Sequence, residues 1–198
     1  MKLLKALITF AGTLALVIVL NSKLGDIPPL GKFLDPFHGF WKNAESKNSS
    51  RKKELKLEGL KGNVEVKFDD QMVPHIFAEN DDDVFFAQGY LTAKDRLWQM
   101  DFQTRFASGR LSEVVGPKAL ELDKYQRRMG MMFGAENMVK GMQKDPQMRQ
   151  IMRSYAAGIN AYIKSLDPED YPIEFKILNY KPEEWKTLNS ALLLKLMS

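Results

Sequence analysis

The stretch Asn80-Asp81-Asp82-Asp83-Val84-Phe85-Phe86-Ala87-Gln88-Gly89-Tyr90-Leu91-Thr92-Ala93-Lys94-Asp95-Arg96-Leu97-Trp98-Gln99-Met100-Asp101-Phe102 decides how the 198-residue chain folds. Asn80 or Asp81 can cap a helix, and the three aspartates complement its positive N-terminal end. Phe86, Tyr90, Ala93, Leu97 and Met100 recur at steps of four and three, and Ala87, Leu91, Trp98 and Phe102 form a second apolar row. A helix apolar over so much of its circumference is mostly buried. Gln88, Asp95, Arg96 and Gln99 lie on it too. Buried polar groups need partners, so these four predict a hydrogen-bonded core network, with direct catalysis by Asp95 or Arg96 as the sharper alternative. A calcium site at Asp81 to Asp83 is disfavoured, because helix neighbours point in different directions and the EF-hand spacing is absent.

On the N-terminal side, Val64, Val66 and Phe68 alternate with charged residues, so 63–68 reads as a half-buried strand. Asp69-Asp70-Gln71 turns the chain, and 74–78 is a second extended run, together a hairpin or two adjacent edge strands. On the C-terminal side, Gly109 ends the long helix in the left-handed conformation. Residues 110–115 make a short helical turn, stopped by Gly116-Pro117. A third helix is expected to bury Leu122, Tyr125, Met129 and Met132 or Phe133, with Gly130 and Gly134 allowing close packing. Asp145-Pro146 is an N-cap followed by proline at the first helical position. Met148, Ile151, Met152, Tyr155, Ile159, Tyr162, Ile163 and Leu166 then form an amphipathic stripe. The methionines of these helices read as core filler. Ile173 to Leu178 reads as extended, Trp185 as a core plug, and Asn189 or Ser190 as the cap of a helix over 191–197.

Ahead of this domain (57–198) stand two other segments. Residues 1–22 contain the uncharged run Ala6 to Leu20 behind Lys2 and Lys5. As a helix that run spans about 22 Å, and counting from Met1 with snorkelling lysines approaches the ~30 Å of a bilayer core. An uncleaved anchor, a cleaved signal peptide and an internal core helix all fit. In the first two readings the basic start stays cytoplasmic and the remainder crosses to an oxidising periplasm, where an absence of cysteine is unremarkable. Residues 23–56 read as a stalk and basic linker. Phe33, Leu34, Phe37, Phe40 and Trp41 either pack on the domain or form an interfacial aromatic belt, and Arg51-Lys52-Lys53 are solvated or face lipid headgroups.

The net charge of +4 suggests an anionic partner until it is divided. Residues 1–56 hold 10 Lys+Arg and 4 Asp+Glu, a net of +6, while 57–198 hold 19 and 21, a net of −2. The domain is slightly acidic, which argues against nucleic acid as a partner. Without cysteine there is no disulfide framework, thiol nucleophile or thiolate zinc site, and two histidines, His38 and His75, are too few for a His-rich metal site. No P-loop, GxGxxG, GxSxG or HExxH motif occurs. His75 has the chemistry of a general base but no assignable nucleophile beside it.

The blocks Val73-Pro74-His75-Ile76-Phe77-Ala78, Phe85-Phe86-Ala87-Gln88-Gly89-Tyr90, Ala93-Lys94-Asp95-Arg96-Leu97-Trp98-Gln99-Met100 and Gly109-Arg110-Leu111-Ser112-Glu113, with Gly116, follow one another in an order that resembles the N-terminal half of the penicillin acylase (penicillin amidase) family. Tyr155-Ala156-Ala157-Gly158-Ile159-Asn160-Ala161-Tyr162, Glu174-Phe175, Pro182 and Trp185 extend the likeness over 57–198. The anchor (1–22) and the segment Ile27-Pro28-Pro29-Leu30-Gly31-Lys32-Phe33-Leu34 are similar to membrane-anchored bacterial members. The resemblance implies an N-terminal-nucleophile hydrolase of αββα fold. Its precursor cuts itself before a serine, whose own α-amino group then serves as base in amide hydrolysis. This chain corresponds to the mostly helical α-chain portion, an α+β fold that is incomplete by itself.

No catalytic residue carries over, because the only Gly followed by Ser, Thr or Cys is Gly12-Thr13, inside the apolar run. Met197 is the one candidate substrate-binding position, with a core role as its alternative. The family's calcium-binding acid lies beyond Ser198, so the resemblance implies no cofactor here and allows calcium in the full-length enzyme. Asn189 stands where the family usually has Asp. The sequence stops inside an apolar helical run, and the expectation is the front part of a longer chain, inactive and poorly folded alone because both strand edges lack partners. The implied partners are the β chain, a small-molecule amide substrate and, through the N-terminal helix, the membrane. The alternative is a membrane-tethered binding or scaffold protein without catalysis.

Overall fold

The computed structural model describes residues 2–22, 24, 25, 27, 29–31, 35 and 54–198. In chain order the elements are α1 (Lys2–Asn21), β1 (Val64–Phe68), β2 (Pro74–Ala78), α2 (Asp81–Ser108), α3 (Ser112–Val115), a 3-10 turn (Pro117–Ala119), α4 (Leu120–Arg128), α5 (Met131–Met142), α6 (Pro146–Lys164), a second 3-10 turn (Pro168–Asp170), α7 (Ile173–Leu178) and α8 (Thr187–Leu196). They divide into two compact units, Met1–Ser49 with Asp167–Lys181 and Ser50–Leu166 with Pro182–Ser198. The aromatic run Phe33 to Trp41 and the basic Arg51-Lys52-Lys53 lie outside the described residues.

In the first unit, α1 buries none of its residues. Its length and composition suffice to cross a membrane. Its two threonine hydroxyls are satisfied within the helix, Thr9 donating to the Lys5 carbonyl and Thr13 to the Thr9 carbonyl, both at 2.9 Å. The segment Ile173 to Leu178, expected to be extended, is a helix instead. Its six residues alternate like a strand, but the end of the segment decides. Asn179 takes a left-handed conformation (φ 57), and Tyr180 N–H donates back to the Phe175 carbonyl at 3.1 Å. The Tyr180 and Phe175 rings pack 4.8 Å apart across that turn. This is a Schellman cap with its hydrophobic contact.

In the second unit, β1 and β2 form a two-stranded antiparallel hairpin with Val66 opposite Ile76. Its turn is closed by the Asp69 carboxylate, which accepts from Gln71 and Val73 N–H at 2.9 Å, and Met72 adopts φ 62 there. Asn80 caps α2, accepting from Asp83 N–H at 3.0 Å. Gly109 (φ 66) closes α2, with Arg110 N–H donating to the Arg105 carbonyl at 2.8 Å. Between those ends α2 breaks once, at Arg96 (φ −140, ψ 22).

The expected apolar row of α2 is the core: Phe86, Tyr90, Ala93, Leu97 and Met100 are all buried. The second row is buried only at Ala87 and half-buried at Leu91, Trp98 and Phe102. α2 packs along α6, and two glycines set how closely. A Cβ on Gly89 would fall on the Tyr155 carbonyl oxygen, and one on Gly158 on the Phe86 carbonyl oxygen. Ile159 and Ala156 fill the same seam, while Tyr90 meets Tyr162 edge-on at 5.4 Å. A second cluster joins Ala107, Ala135, Ala191 and Leu192 from α2, α5 and α8, with Met132, Met138 and Leu188 around it.

The expected third helix is two helices, α4 and α5, because Gly130 takes the left-handed conformation (φ 71) and breaks the run. Gly130 serves this turn and meets no neighbour, whereas Gly134 does allow close packing, against the Lys195 side chain. Most of the face predicted to be buried is turned outward: Leu122, Tyr125, Met129 and Phe133 are exposed, whereas Met132, the alternative to Phe133, packs against the second cluster. Asp123 and Gln126 are buried in their place. Of the methionines in these helices, Met129 and Met148 are exposed and are not core filler. Finally, α8 starts at Thr187 rather than 191. Asn189 acts as its third residue, its side-chain oxygen accepting from Lys186 N–H at 2.9 Å, and is not the N-cap.

Candidate functional site

The polar groups of α2 are sorted differently from the expectation. Gln88, Asp95, Arg96 and Gln99 are exposed, so they form no buried network. The buried polar residues of α2 are Asp83 at its start and Asp101, Thr104, Arg105 and Ser108 near its end. A helix that crosses a core along its middle meets other elements through polar groups at its ends, where chain segments converge.

At the start of α2, the Asp83 carboxylate accepts from Lys61 N–H (2.8 Å), Gly62 N–H (2.9 Å) and the Asn80 amide (2.7 Å). Burial opposes ionisation there, but the hydrogen bonds from Lys61, Asn80 and Gly62 outweigh it and hold the carboxyl below its ordinary value. Lys61 also pairs with Asp82. The aspartate triplet thus ties the chain ahead of the hairpin to the helix. Its ligands are donors, the wrong partners for a cation. Among the described residues no group of three His, Asp or Glu is placed to hold a metal ion.

At the end of α2, Arg105 is buried and its guanidinium reaches three carboxylates at 2.9 Å: Asp101, Glu113 and Glu183. Arg110 grips Glu113 with Nε and Nη2 (2.9 and 2.8 Å) and Glu183 with both terminal nitrogens (3.2 and 2.9 Å). Such fork-to-fork pairs fix orientation as well as charge. Arg110, then the charge of Arg105, keep Glu183 below the ordinary glutamate value against the opposing effect of burial. One turn away, the Asp123 carboxylate on α4 accepts from Leu111 and Ser112 N–H (2.8 and 2.7 Å), holding the free N–H groups at the start of α3. Burial again opposes ionisation, and the Ser112 and Leu111 hydrogen bonds prevail, so Asp123 is held low.

These contacts converge on the approach to α8. Glu183 is held by the two arginines. Trp185 is held by Asn160 of α6, whose side chain accepts from Trp185 N–H (2.7 Å) and donates to the Trp185 carbonyl (2.9 Å). The buried Trp185 indole donates to Ser190 at 2.9 Å, as expected of a core plug with a polar handle. Segment 182–190 is therefore bracketed from α2, α6 and α8 itself. Met197 follows α8, where its N–H donates to the Leu193 carbonyl at 3.2 Å and its side chain is exposed.

His75 sits on β2, exposed, 3.3 Å from the Asp69 carboxylate. Among the described residues no serine or threonine hydroxyl bonds to it, so no nucleophile and base are brought together. The Trp98 indole N–H is buried without an acceptor among the described residues, against the Phe102 ring at 4.9 Å. Sequence reasoning missed Asp83, Arg105 and Asp123 as organising residues. Arg105 and Asp101 do carry a signal, being an opposite-charge pair four residues apart beside the helix end.

The Penicillin amidase family model matches residues 63–198. The chain is 34% identical over 141 residues to penicillin acylase 2 proenzyme from Pseudomonas sp. (strain SE83), covering 71% of this chain and 18% of that protein. It is 34% identical over 142 residues to the acyl-homoserine lactone acylase QuiP of Pseudomonas aeruginosa, covering 72% and 16%. Among solved structures, it matches a thermostable penicillin G acylase from Alcaligenes faecalis with a TM-score of 0.61 and 30% identity, over 68% of this chain and 72% of that one. The chain thus spans about a sixth of the length of the curated relatives it matches. The mostly helical α+β architecture expected from the sequence is the one found, and the chain belongs to the penicillin amidase family.

Proposed function

We propose that this chain is the α-chain part of a membrane-anchored acylase that hydrolyses an acyl amide to a carboxylic acid and an amine. The observation that carries this is the family match across 63–198, with relatives named as acylases of penicillins and of acyl-homoserine lactones. The nucleophile lies on a β chain outside these residues, released by self-cleavage of a precursor. Its N-terminal hydroxyl attacks the amide carbon while its own α-amino group takes the proton, and donors of the β chain stabilise the oxyanion.

This chain contributes position. The Arg105–Glu183–Arg110 ties and the Asn160 bracket fix the approach to α8, and α8 carries Met197 toward the acyl group. Calcium, which the resemblance allows in the full-length enzyme, would be held by acids outside these residues. α1 holds the enzyme at the inner membrane, with Lys2 and Lys5 on the cytoplasmic side and the catalytic body in the periplasm.

The test is to incubate the full-length protein with a penicillin, an acyl-homoserine lactone and a chromogenic acyl anilide. Release of acid and amine from at least one is expected, and none from residues 1–198 alone. A full-length protein inert toward all three, or robust turnover by residues 1–198, overturns the proposal.

A further inference from the structure

The chain turns back on itself as soon as α1 ends. α1 is 20 residues long. At 1.5 Å per residue that is about 30 Å, which matches the ~30 Å hydrocarbon core of a bilayer. Its end is closed by its own side chains: the Asn21 amide donates to the Val17 carbonyl at 3.0 Å, and the Ser22 hydroxyl to the Ile18 carbonyl at 2.7 Å. Leu24 and Ile27 then exchange both backbone hydrogen bonds (3.3 and 3.0 Å), and Gly25 between them takes φ 61. This is a tight reverse turn of hairpin type. By Gly31 the chain is beside the helix end again. A Cβ on Gly31 would fall on the Asn21 side-chain oxygen and 3.3 Å from the Leu20 carbonyl oxygen.

This fold-back fixes depth. With α1 spanning the hydrocarbon core, the residues up to Leu24 reach at most about 10 Å past its edge, and Ile27, bonded to Leu24, is held with them. Leu30 adjoins Gly31 and so lies at the helix end itself. The interfacial layer on each side of the core is about 5–8 Å deep. Three large apolar side chains stand at this level: Leu24, Ile27 and Leu30 are 50%, 51% and 42% exposed. Acyl chains take such side chains out of water, and a backbone that has closed its own hydrogen bonds suits a layer where water is scarce.

We propose that the turn from Leu24 to Leu30 is a lipid collar, with Leu24, Ile27 and Leu30 seated in the headgroup–acyl boundary of the leaflet opposite Lys2 and Lys5, against phospholipid acyl chains. This rests on the reading of α1 as a membrane anchor. It adds where the chain leaves the bilayer and what the residues after the helix touch.

The test uses the full-length protein in phospholipid vesicles. Benzoylphenylalanine replaces, one at a time, Ile27, Leu30, Val17 as a reference within α1, and Glu121 as an exposed reference on the domain. Irradiation joins the benzophenone to a C–H group that it touches, and peptide mass mapping identifies the adduct. Phospholipid adducts at Ile27 and Leu30 are expected, in at least about tenfold the yield at Glu121. Lipid adducts at Val17 with none at Ile27 and Leu30 overturn the collar and leave the anchor intact. Peptide adducts at Ile27 and Leu30, from this chain or from a second copy, overturn it in favour of protein packing. An absence of lipid adducts at every position, or a mature chain that begins beyond Asn21, overturns the anchor and the collar together. Amide hydrolysis on the same samples reads the acylase proposal separately. If the Leu30 variant does not accumulate, Ile27 decides.

Discussion

Two single atoms that are not there set the spacing of the main helix pair. Gly89 and Gly158 each face a carbonyl of the other helix so closely that a methyl group would displace it. Gly89→Ala should therefore destabilise the protein by about 1–3 kcal/mol or more, read from the urea midpoint. Gly141→Ala is the contrast, because nothing lies within 4 Å of that position. It should stabilise the protein by about 0.5–1 kcal/mol through helix propensity alone. Equal effects at both sites would contradict the crossing. The two buried aspartates make a pH prediction. Asp83 and Asp123 are both held below the ordinary aspartate value of about 3.9. The folded state thus binds their protons less readily than the unfolded state does. Their contribution is complete above that value and is lost as pH falls through the lowered folded values. Stability should fall on acidification below about pH 4, and Asp83→Asn with Asp123→Asn should flatten that fall while lowering stability at pH 7. An unchanged acid limb in the double variant would contradict this.

Elements were legible where they carry their own stop signals. The cap at Asn80, the end at Gly109 and the start at Asp145-Pro146 are local chemistry, and all three stand where the residues put them. Elements were misread where the deciding contact is distant or lies one residue outside the segment. Ile173 to Leu178 alternates like a strand, and only the left-handed Asn179 and the Phe175–Tyr180 contact make it a helix. The α4 row reads as a core face because nothing in its periodicity reveals that Asp123 serves a loop eleven residues earlier. The polar residues along the middle of α2 read as a buried network, although the buried ones sit at its ends. For α8, the Asn160 bracket is the contact to remove. Asn160→Ala leaves Trp185 N–H without its acceptor in a part-buried setting and should cost about 1–3 kcal/mol in thermal or chemical unfolding. Asn160→Asp keeps the acceptor and should recover part of that loss. Asn189→Asp should be neutral or stabilising by about 0.3–1 kcal/mol, because an acidic third residue still accepts from Lys186 N–H and complements the helix dipole. A clear loss at Asn189→Asp would contradict its role as third residue of α8.

Across the whole molecule, the charge division separates two tasks. The positive excess belongs to residues 1–56, which hold the apolar α1, and the domain that follows is slightly acidic. Deleting residues 1–22 should move the protein from a carbonate-resistant membrane fraction to the soluble one, and wild-type protein that washes off in carbonate would contradict an anchor. The domain itself is a scaffold of paired charges and capped helix ends, with exposed apolar groups on the hairpin and on α4. Among the described residues it presents no nucleophile and base together. The most direct measurement is the intact mass and N-terminal residue of each chain in the mature full-length protein. The account predicts two chains, the second beginning with a serine whose replacement by alanine abolishes both cleavage and amide hydrolysis. A single uncleaved chain that hydrolyses amides, or one whose activity survives that replacement, would contradict it.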